Sequence, residues 1–412
     1  MIFIPKLQNM NYLIPNGTSL KNIGDQAILM SLVGLIRSTD KNGKIVLHST
    51  DADLYDSQEF KHVFETLYSY AVLTKKDFFT RIVRLSTVVI FYFLFRFKLH
   101  RFLSFLKSHP LYQTYLDYIS ADVIIGAGGG YLRSKTGFTQ TLNFLMQIFM
   151  LHVSTVLGKR KLVAPISFGP FAYVWQEKLA AETLAQFDLV AIRESVSYEL
   201  LKKYRLTNMV KSCDLAMLLP KKVRNSKIAP TIGFTIINWY PQKDQQKQLE
   251  KVYAQALEKL TKHTKLIIQP IIQVANPVFK TENDTNTTHQ VCKLLIKKGV
   301  QVKTPIMLKN LSHAQTIYGN LTLLLGMRMH SNILAAISGV PFVAVAYEHK
   351  TVGVARALKI TNYLDVENIN APLLYKKLKN AYTNQYSIKK SLIQQIDSIK
   401  LKEFPYLRTI IN

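Results

Sequence analysis

In the first half of the chain, short apolar runs alternate with longer segments of helical periodicity. Short apolar runs bounded by turn residues are typical of buried strands, and apolar residues recurring every three to four positions indicate helices. The pattern predicts strands at 12–14, 44–47, 123–125, 161–165, 189–192 and 209–213. It predicts helices near 25–36, 138–157, 176–186 and 195–203. Strands that alternate with helices favour a parallel sheet covered on both faces.

A second alternation follows a basic segment, 220–230, whose composition is that of a linker. Its predicted strands are 231–237, 265–271, 322–325 and 342–346, and its predicted helices are 243–262, 287–298, 329–338 and 351–358. We therefore expect an α/β protein with two Rossmann-like domains facing across a cleft, 1–220 and 230–385, and a helical tail, 386–412. Ligands of such folds bind at the carboxyl ends of the strands.

A helical insertion of about 68–118 interrupts the first domain. Its apolar core, 85–95, is too short to cross a bilayer as a straight helix. Lysines and arginines flank this core on both sides, and phenylalanines are frequent in it. These residue types are typical of a helix that lies in a membrane interface. A buried helical hairpin with its charges at the ends is the alternative, and segment 75–107 is compatible with both.

The composition narrows the range of partners. The 412 residues are 48% hydrophobic, and 53 Lys and Arg against 26 Asp and Glu give a net charge of +27. This charge favours anionic partners such as phosphates or acidic lipids. We do not expect nucleic-acid binding, because no reading motif is present. The presence of only two cysteines and the absence of a signal-peptide pattern predict a cytoplasmic location. Peripheral contact with the inner face of the membrane is compatible with this prediction.

Two motifs of the first domain combine a turn with polar or glycine residues. The segment 22–28 places Asn22 and Asp25 where a predicted helix begins, and Asp25 is either a functional carboxylate or the N-cap. The strand at 123–125 runs into Gly128 and Gly129, and we expect a helix to follow. Glycines let a backbone approach a phosphate or sugar closely, and the N–H groups of a following helix can hold an anion. A tight structural turn is the alternative.

Cations occur at three further strand ends. Arg193 precedes a predicted helix, and it either binds an anion or forms a surface pair with Glu194. Arg328 and His330 lie in one predicted β-to-α turn, and His349 and Lys350 lie in the next. Two adjacent turns would present these four side chains on one rim, as an anion site with a titratable histidine. No metal-ligand spacing is present.

These motifs, in this order, resemble the polysaccharide pyruvyl transferase family. The resemblance is carried by N-x-G-D-x-A-I at 22–28, the strand into three glycines, R-E-S at 193–195, C-D-L at 213–215, G-x-R-x-H-S at 326–331, and G-V-P followed by Y-x-x-K at 347–350. It extends from about residue 20 to residue 360. The apolar and basic insertion is the departure from these motifs.

The resemblance implies a GT-B-like fold, phosphoenolpyruvate as donor and a sugar as acceptor. The product that the resemblance implies is a pyruvate ketal, made in exopolysaccharide, capsule or cell-wall polymer synthesis. His330 is the candidate acid and Asp25 the candidate base, although their roles could be exchanged. Arg193 and Lys350, with Arg328 in support, are the candidates to bind the donor in the cleft. The candidates for further substrate contacts are Asn22, Gly128, Gly129, Ser331 and Tyr347. The scheme requires no metal or organic cofactor.

Two other functions stay open. A GT-B glycosyltransferase would use the same cations to bind the diphosphate of a nucleotide sugar, although the sequence offers no clear acidic residue for a ribose. An inactive, membrane-associated scaffold of a polysaccharide assembly complex is the other alternative, against which the intact polar motifs argue. If the insertion contacts membrane, we expect the acceptor to be a lipid-linked sugar or oligosaccharide.

Overall fold

A computed structural model describes residues 9–17, 19, 22–52, 59–73, 77–97, 99, 107–222, 229–275 and 283–411. The chain divides into two compact units. Unit 1 comprises 1–20, 28–215 and 403–412, and unit 2 comprises 21–27 and 216–402. The predicted α/β class with two parallel sheets is confirmed, because each unit contains one such sheet.

The sheet of unit 1 has the order β3-β2-β1-β4-β6-β7-β8, and β5 pairs with β6. Its strands are β1 (Asn11–Gly17), β2 (Lys44–Ser49), β3 (His62–Glu65), β4 (Val123–Gly126), β5 (Gly129–Leu132), β6 (Arg160–Phe168), β7 (Leu189–Ile192) and β8 (Met209–Lys211). Every described pairing is parallel. All four residues of β4 are buried, as expected of a strand covered on both faces. The sequence pattern did not predict β3 or β5.

Six helices among the described residues accompany this sheet. They are α1 (Ile23–Thr39), α2 (Phe78–Arg96), α3 (Pro110–Ser120), α4 (Phe138–Thr155), α5 (Val174–Leu184) and α6 (Ser195–Lys202). One apolar cluster joins α2, α3 and one side of α4 to the sheet. A second cluster joins the other side of α4 to α5, α6 and β6. The two clusters meet at α4, which therefore bridges them on one face of the sheet.

The insertion contributes α2, α3 and a short π-helical segment, Ser69–Leu73. Val88, Phe91 and Phe95 of α2 are buried against Tyr115 and Tyr118 of α3. The prediction of a helical insertion is confirmed. Only one side of α2 is buried, so the segment differs from a fully buried hairpin.

The sheet of unit 2 has the order β11-β10-β9-β12-β13-β14, and each described pairing is parallel. Its strands are β9 (Thr231–Thr235), β10 (Ile267–Ile272), β11 (Ile306–Met307), β12 (Leu323–Gly326), β13 (Phe342–Ala346) and β14 (Tyr363–Asp365). The helices are α7 (Lys243–Lys262), α8 (Thr285–Ile296), α9 (Leu311–Gly319), α10 (Met329–Ile337), α11 (His349–Ala357), α12 (Ala371–Thr383) and α13 (Gln385–Ile411). The last residues of α13 belong to unit 1. The short β11 and β14, and α9, were not predicted.

Two local expectations are wrong. The helix that carries Asp25 begins at Ile23, so Asp25 lies within the first turn of α1 and is not its N-cap. Asn22 caps the helix, because its side-chain oxygen accepts a hydrogen bond of 3.0 Å from the Gly24 N–H. The glycines at 128–130 do not lead directly into a helix, because β5 intervenes before α4 begins at Phe138.

A buried carboxylate joins α3 to the edge of the sheet in unit 1. Asp117 lies 3.0 Å from Nε2 of His48 and 3.0 Å from Nε2 of His62, and it accepts a further hydrogen bond of 3.0 Å from Gln113. Burial acts to raise the pKa of Asp117, but these hydrogen bonds and the charge of His48 outweigh it, so the pKa is lowered. The ionised carboxylate therefore contributes to stability.

We expect Asp117→Ala to lower the free energy of unfolding at pH 7 by about 3–5 kcal/mol, because it leaves buried partners unpaired. The contribution of Asp117 is fully present above about pH 4, the ordinary carboxyl pKa, and is lost as the pH falls through its lowered folded-state pKa. Urea denaturation at pH 7 and at about pH 3 measures both effects. Asp244→Ala, at an exposed carboxylate that pairs with Lys247, is the matched control with a small loss. Equal losses in the two variants would contradict this prediction.

Candidate functional site

The carboxyl ends of β9, β12 and β13 form one edge of the sheet in unit 2. These three strands are adjacent and parallel, so the segments that follow Thr235, Gly326 and Ala346 emerge at the same edge. Arg328 and His330 follow β12. Tyr347 and Lys350 follow β13. The structure thus brings together the two turns that the sequence pattern singled out. The side chain of His349 lies outside the described residues.

Asp25 belongs to this same unit, because residues 21–27 group with unit 2. The imidazole of His330 lies directly against Gly24, where a methyl group would overlap its Nδ1, Cγ and Cε1 atoms. The next residue is Asp25, which is partly exposed in the first turn of α1. Gln26 fixes this turn, because its side-chain oxygen accepts a hydrogen bond of 2.6 Å from the Leu311 N–H at the start of α9. The candidate base therefore directly follows, along the chain, the residue that the candidate acid contacts.

Buried hydroxyls hold the turn that presents His330. The hydroxyl of Thr235 accepts hydrogen bonds from the N–H groups of Met327 and Arg328, at 3.1 and 3.4 Å. The fully buried Ser331 donates to the carbonyl of Arg328 at 2.5 Å, and its hydroxyl is 3.1 Å from that of Thr235. These bonds give Ser331 a structural role, and its predicted contact with substrate stays a prediction.

The guanidinium of Arg328 is engaged by a buried carboxylate. Its Nε and Nη2 donate to the two oxygens of Asp284 at 3.1 and 2.6 Å, in a bidentate pair. Burial raises the pKa of Asp284, while the charge and hydrogen bonds of Arg328 oppose this effect. Asp284 thereby orients Arg328 and offsets its charge.

Lys350 lies within the first turn of α11, beside an acidic and an aromatic residue. Its Nζ is 2.5 Å from Oε2 of Glu348, and both side chains are partly exposed. Tyr347 packs against Trp239 with ring centroids 4.9 Å apart, and Lys350 Nζ lies 6.0 Å from the Tyr347 ring. Lys350 is thus a cation that solvent reaches.

Arg193 belongs to unit 1, at the carboxyl end of β7. Its Nη1 is 2.7 Å from Asp214 and its Nε donates to Ser167 at 2.8 Å. The side chains of Arg193 and Asp214 are only 5% and 2% exposed. The alternative of a surface pair with Glu194 is wrong, because Arg193 pairs with Asp214 and Glu194 accepts a hydrogen bond of 2.6 Å from Ser197.

The glycine segment of unit 1 lies at the end of β4. A methyl group on Gly128 would contact the carbonyl oxygen of Pro165 and the side chain of Ile28. The Ala127 N–H donates to the side-chain oxygen of Asn16 at 2.8 Å, which fixes the turn. These contacts support a structural reason for Gly128, and the predicted substrate contacts of Gly128 and Gly129 stay predictions.

The family model for polysaccharide pyruvyl transferases matches residues 22–349, which is most of the chain. The chain belongs to the polysaccharide pyruvyl transferase family. Membership implies a transferase with a pyruvyl donor and a polysaccharide acceptor. The matched range includes Asn22, Asp25, Arg193 and His330, and it ends one residue before Lys350.

Solved structures of sugar-metabolising enzymes share the fold of this chain. An OtsA apo structure has a TM-score of 0.57 at 11% identity and covers 98% of each chain. The UDP-GlcNAc 2-epimerase from Methanocaldococcus jannaschii has a TM-score of 0.53 at 10% identity, covering 95% of this chain and 100% of the other. A putative UDP-N-acetylglucosamine 2-epimerase from Listeria monocytogenes has a TM-score of 0.53 at 9% identity, with coverages of 93% and 91%. The predicted similarity to GT-B enzymes is confirmed.

The carboxylates and hydroxyls that contact the cations, or hold their turns, were not identified as site residues from the sequence. Glu348 lies two residues from Lys350, and Asp214 lies in the C-D-L motif, so both had a local signal. Asp284 lies 44 residues from Arg328 along the chain and had none. Thr235 ends β9 and Ser167 is the penultimate residue of β6, and neither position had a signal in the sequence.

Within the part of the chain that the structure describes, no group of three or more His, Cys, Asp or Glu side chains is arranged to hold a metal ion. Over those residues no helix combines the length and apolar character needed to cross a membrane.

We expect Gly24→Ala to destabilise the protein by about 1–3 kcal/mol and to displace the His330 ring, because the new methyl group overlaps it. Gly34→Ala is the matched control on the same helix, where the added methyl group meets no neighbour. The control should stabilise α1 by about 0.5–1 kcal/mol. Urea denaturation and the NMR signals of the His330 ring measure both effects. Equal stabilisation by the two changes, with unchanged His330 signals, would show that the ring does not pack against Gly24.

Proposed function

We propose that this pyruvyl transferase moves the enolpyruvyl group of phosphoenolpyruvate onto two hydroxyls of one sugar, forming a pyruvate ketal during exopolysaccharide, capsule or cell-wall polymer synthesis. Family membership supports the transfer of a pyruvyl group. The observation that carries the proposal is the packing of His330 against Gly24, beside Asp25, at the strand edge that also bears Arg328 and Lys350. A proton donor, a proton acceptor and cations are thus available in one unit.

The reaction needs three proton transfers and one leaving group. A proton is added to the methylene carbon of phosphoenolpyruvate, which leaves positive charge at C2. The first sugar hydroxyl attacks C2 and loses its proton to a base. The second hydroxyl then attacks C2, phosphate leaves with its bonding electrons, and the remaining proton goes to phosphate or to the base. The sum is one phosphoenolpyruvate and two hydroxyls giving one ketal and one phosphate.

His330 is the proposed acid, and Asp25 is the proposed base on the attacking hydroxyl. The imidazole is held by its packing against Gly24 and by the hydroxyl-bonded turn of α10. Asp25 is partly exposed and so accessible to a hydroxyl. A fixed acid and a neighbouring accessible carboxylate fit the requirement that both groups reach one small donor.

Phosphoenolpyruvate carries a carboxylate and a phosphate, so we propose that cations bind it. Lys350 is the best-placed candidate, because it is partly exposed and its partner Glu348 is also partly exposed. Arg328 is proposed to support the donor from the adjacent turn while Asp284 orients it. Arg193 is also proposed to contact substrate, although its pairing with Asp214 makes it important for stability as well.

Phosphoenolpyruvate binding measured by calorimetry tests the role of Lys350. We expect Lys350→Ala to weaken binding by roughly tenfold or more, because a charge-assisted contact is lost. We expect Glu348→Gln to tighten binding severalfold, since the competing carboxylate charge is removed. Arg193→Ala is a poorer test, because it leaves Asp214 buried without its partner.

The exposed pair Lys247 and Asp244 on α7, 3.3 Å apart, offers matched controls. Lys247→Ala and Asp244→Asn should leave phosphoenolpyruvate binding unchanged. If Lys350→Ala weakened phosphoenolpyruvate binding but Glu348→Gln did not tighten it, Glu348 would not compete with the donor for Lys350. No effect of either change would remove Lys350 from the donor site. Binding of UDP- or GDP-sugars in place of phosphoenolpyruvate would favour the glycosyltransferase alternative.

We expect His330→Gln and Asp25→Asn each to lower kcat by roughly 10²–10⁴-fold, the usual contribution of a general acid or base. Phosphate release from phosphoenolpyruvate, with hexose oligosaccharides as acceptors, measures the rate, and proton NMR of the ketal methyl group identifies the product. His289→Gln, at an exposed histidine of α8, is the control with unchanged kcat. If His330→Gln retained full activity while remaining folded, the acid would have to be another group.

A further inference from the structure

The side of α2 that faces away from the protein is mostly apolar, with the exposed Ser86 as the polar residue at its centre. Phe79, Ile82, Val83, Ile90 and Phe93 are all more than two-fifths exposed, and Phe97 directly after the helix is 65% exposed. Their spacing of three, four or seven residues places them on one helical face. We call this set the α2 outer face. Together with Val89 at its border, the face carries seven large exposed apolar side chains, and a cluster of this kind marks an interaction surface.

The opposite side of α2 is anchored, so the outer face cannot turn inward without breaking specific contacts. The carbonyl of Val88 accepts a hydrogen bond of 3.1 Å from the buried Tyr115 hydroxyl. Tyr92 is hydrogen-bonded to His152 of α4 at 2.8 Å. Arg84 donates to the carbonyl of Tyr70 at 3.1 Å and lies over its ring. The sequence therefore supplies two apolar sides to one helix, of which the protein core uses one.

The charged residues within α2 are all basic. No acidic residue occurs within α2, while Arg81 and Arg96 are exposed at its two ends. Asp77 lies before the helix and is its N-cap, accepting from the Thr80 N–H at 2.9 Å. The whole chain carries a net charge of +27. An apolar patch with basic ends is complementary to a surface that is both apolar and anionic.

We propose that the α2 outer face binds the surface of an anionic phospholipid bilayer, with the helix lying in the plane of the interface. Phenylalanine and isoleucine side chains enter the boundary between headgroups and acyl chains, and the terminal arginines contact the phosphates. The 19 residues of α2 have one side packed on the protein, so this helix lies on the membrane and does not cross it. The proposal is independent of the reaction that the protein catalyses.

Flotation of the full-length protein with vesicles tests this proposal. One set of vesicles contains phosphatidylcholine alone, and the other contains an equimolar mixture with phosphatidylglycerol. We expect wild-type protein to float with the anionic vesicles and to be released by high salt. Ile90→Glu/Phe93→Glu should reduce that binding by at least about tenfold, because two apolar contacts are lost and two like charges are added. Ile296→Glu/Leu401→Glu, at exposed apolar positions of unit 2, should bind as wild type does.

A second variant keeps the test decisive if the double glutamate variant does not fold. Phe93→Trp retains the apolar character, and its fluorescence should shift to shorter wavelength when anionic vesicles are added. Equal flotation of wild type and folded Ile90→Glu/Phe93→Glu, or no shift from the tryptophan, would overturn the proposal. It would also be overturned if light scattering showed a dimer that this double variant dissociates, with no vesicle binding by wild type. The outer face would then join two copies of the chain.

Discussion

Burial of both faces of each parallel sheet is the constraint on which the arrangement of this protein depends. Strands such as β4, β12 and β13 are buried along their whole length, so polar side chains cannot lie within them without a partner. Polar chemistry is therefore concentrated where the strands end. In unit 2 the ends of three adjacent strands carry Thr235, Arg328 and Lys350, and the start of α1 adds Asp25 to the same unit.

Ion pairing is the second consequence of this burial. Arg193, Arg328 and Lys350 each contact a carboxylate, and the two arginines are paired with almost fully buried ones. A buried guanidinium needs such a partner, and the partner fixes its direction. An anionic ligand at the strand edge of unit 2 must add to the pairs of Arg328 and Lys350 or compete with them. Glu348 is partly exposed, so water can solvate its carboxylate when a ligand displaces it. An anionic ligand therefore competes at the lowest cost for Lys350.

In the insertion, phenylalanines of one helix lie both in the protein core and at the exposed surface. Phe91 and Phe95 are buried in the core, whereas Phe79 and Phe93 of the same helix are exposed. The apolar content of the segment was compatible with both the interfacial helix and the buried hairpin. In the structure one side of α2 is buried in the core and the other side is exposed, because α3 and α4 cover only one side of the helix. This division is the basis for the proposed contact with an anionic bilayer.

The sequence by itself determined the α/β class, most strands and helices, and the order of motifs that identifies the family. The bounds of β7, β13 and α7 follow directly from apolar periodicity, which depends only on local spacing. The tertiary structure decided the remaining features, because they depend on residues that are distant in the chain. The short β3 and β5 exist because a neighbouring strand supplies their hydrogen bonds. The pairing of Arg328 with Asp284, and the contact of His330 with Gly24, likewise arise from folding, which alone brings such distant side chains together.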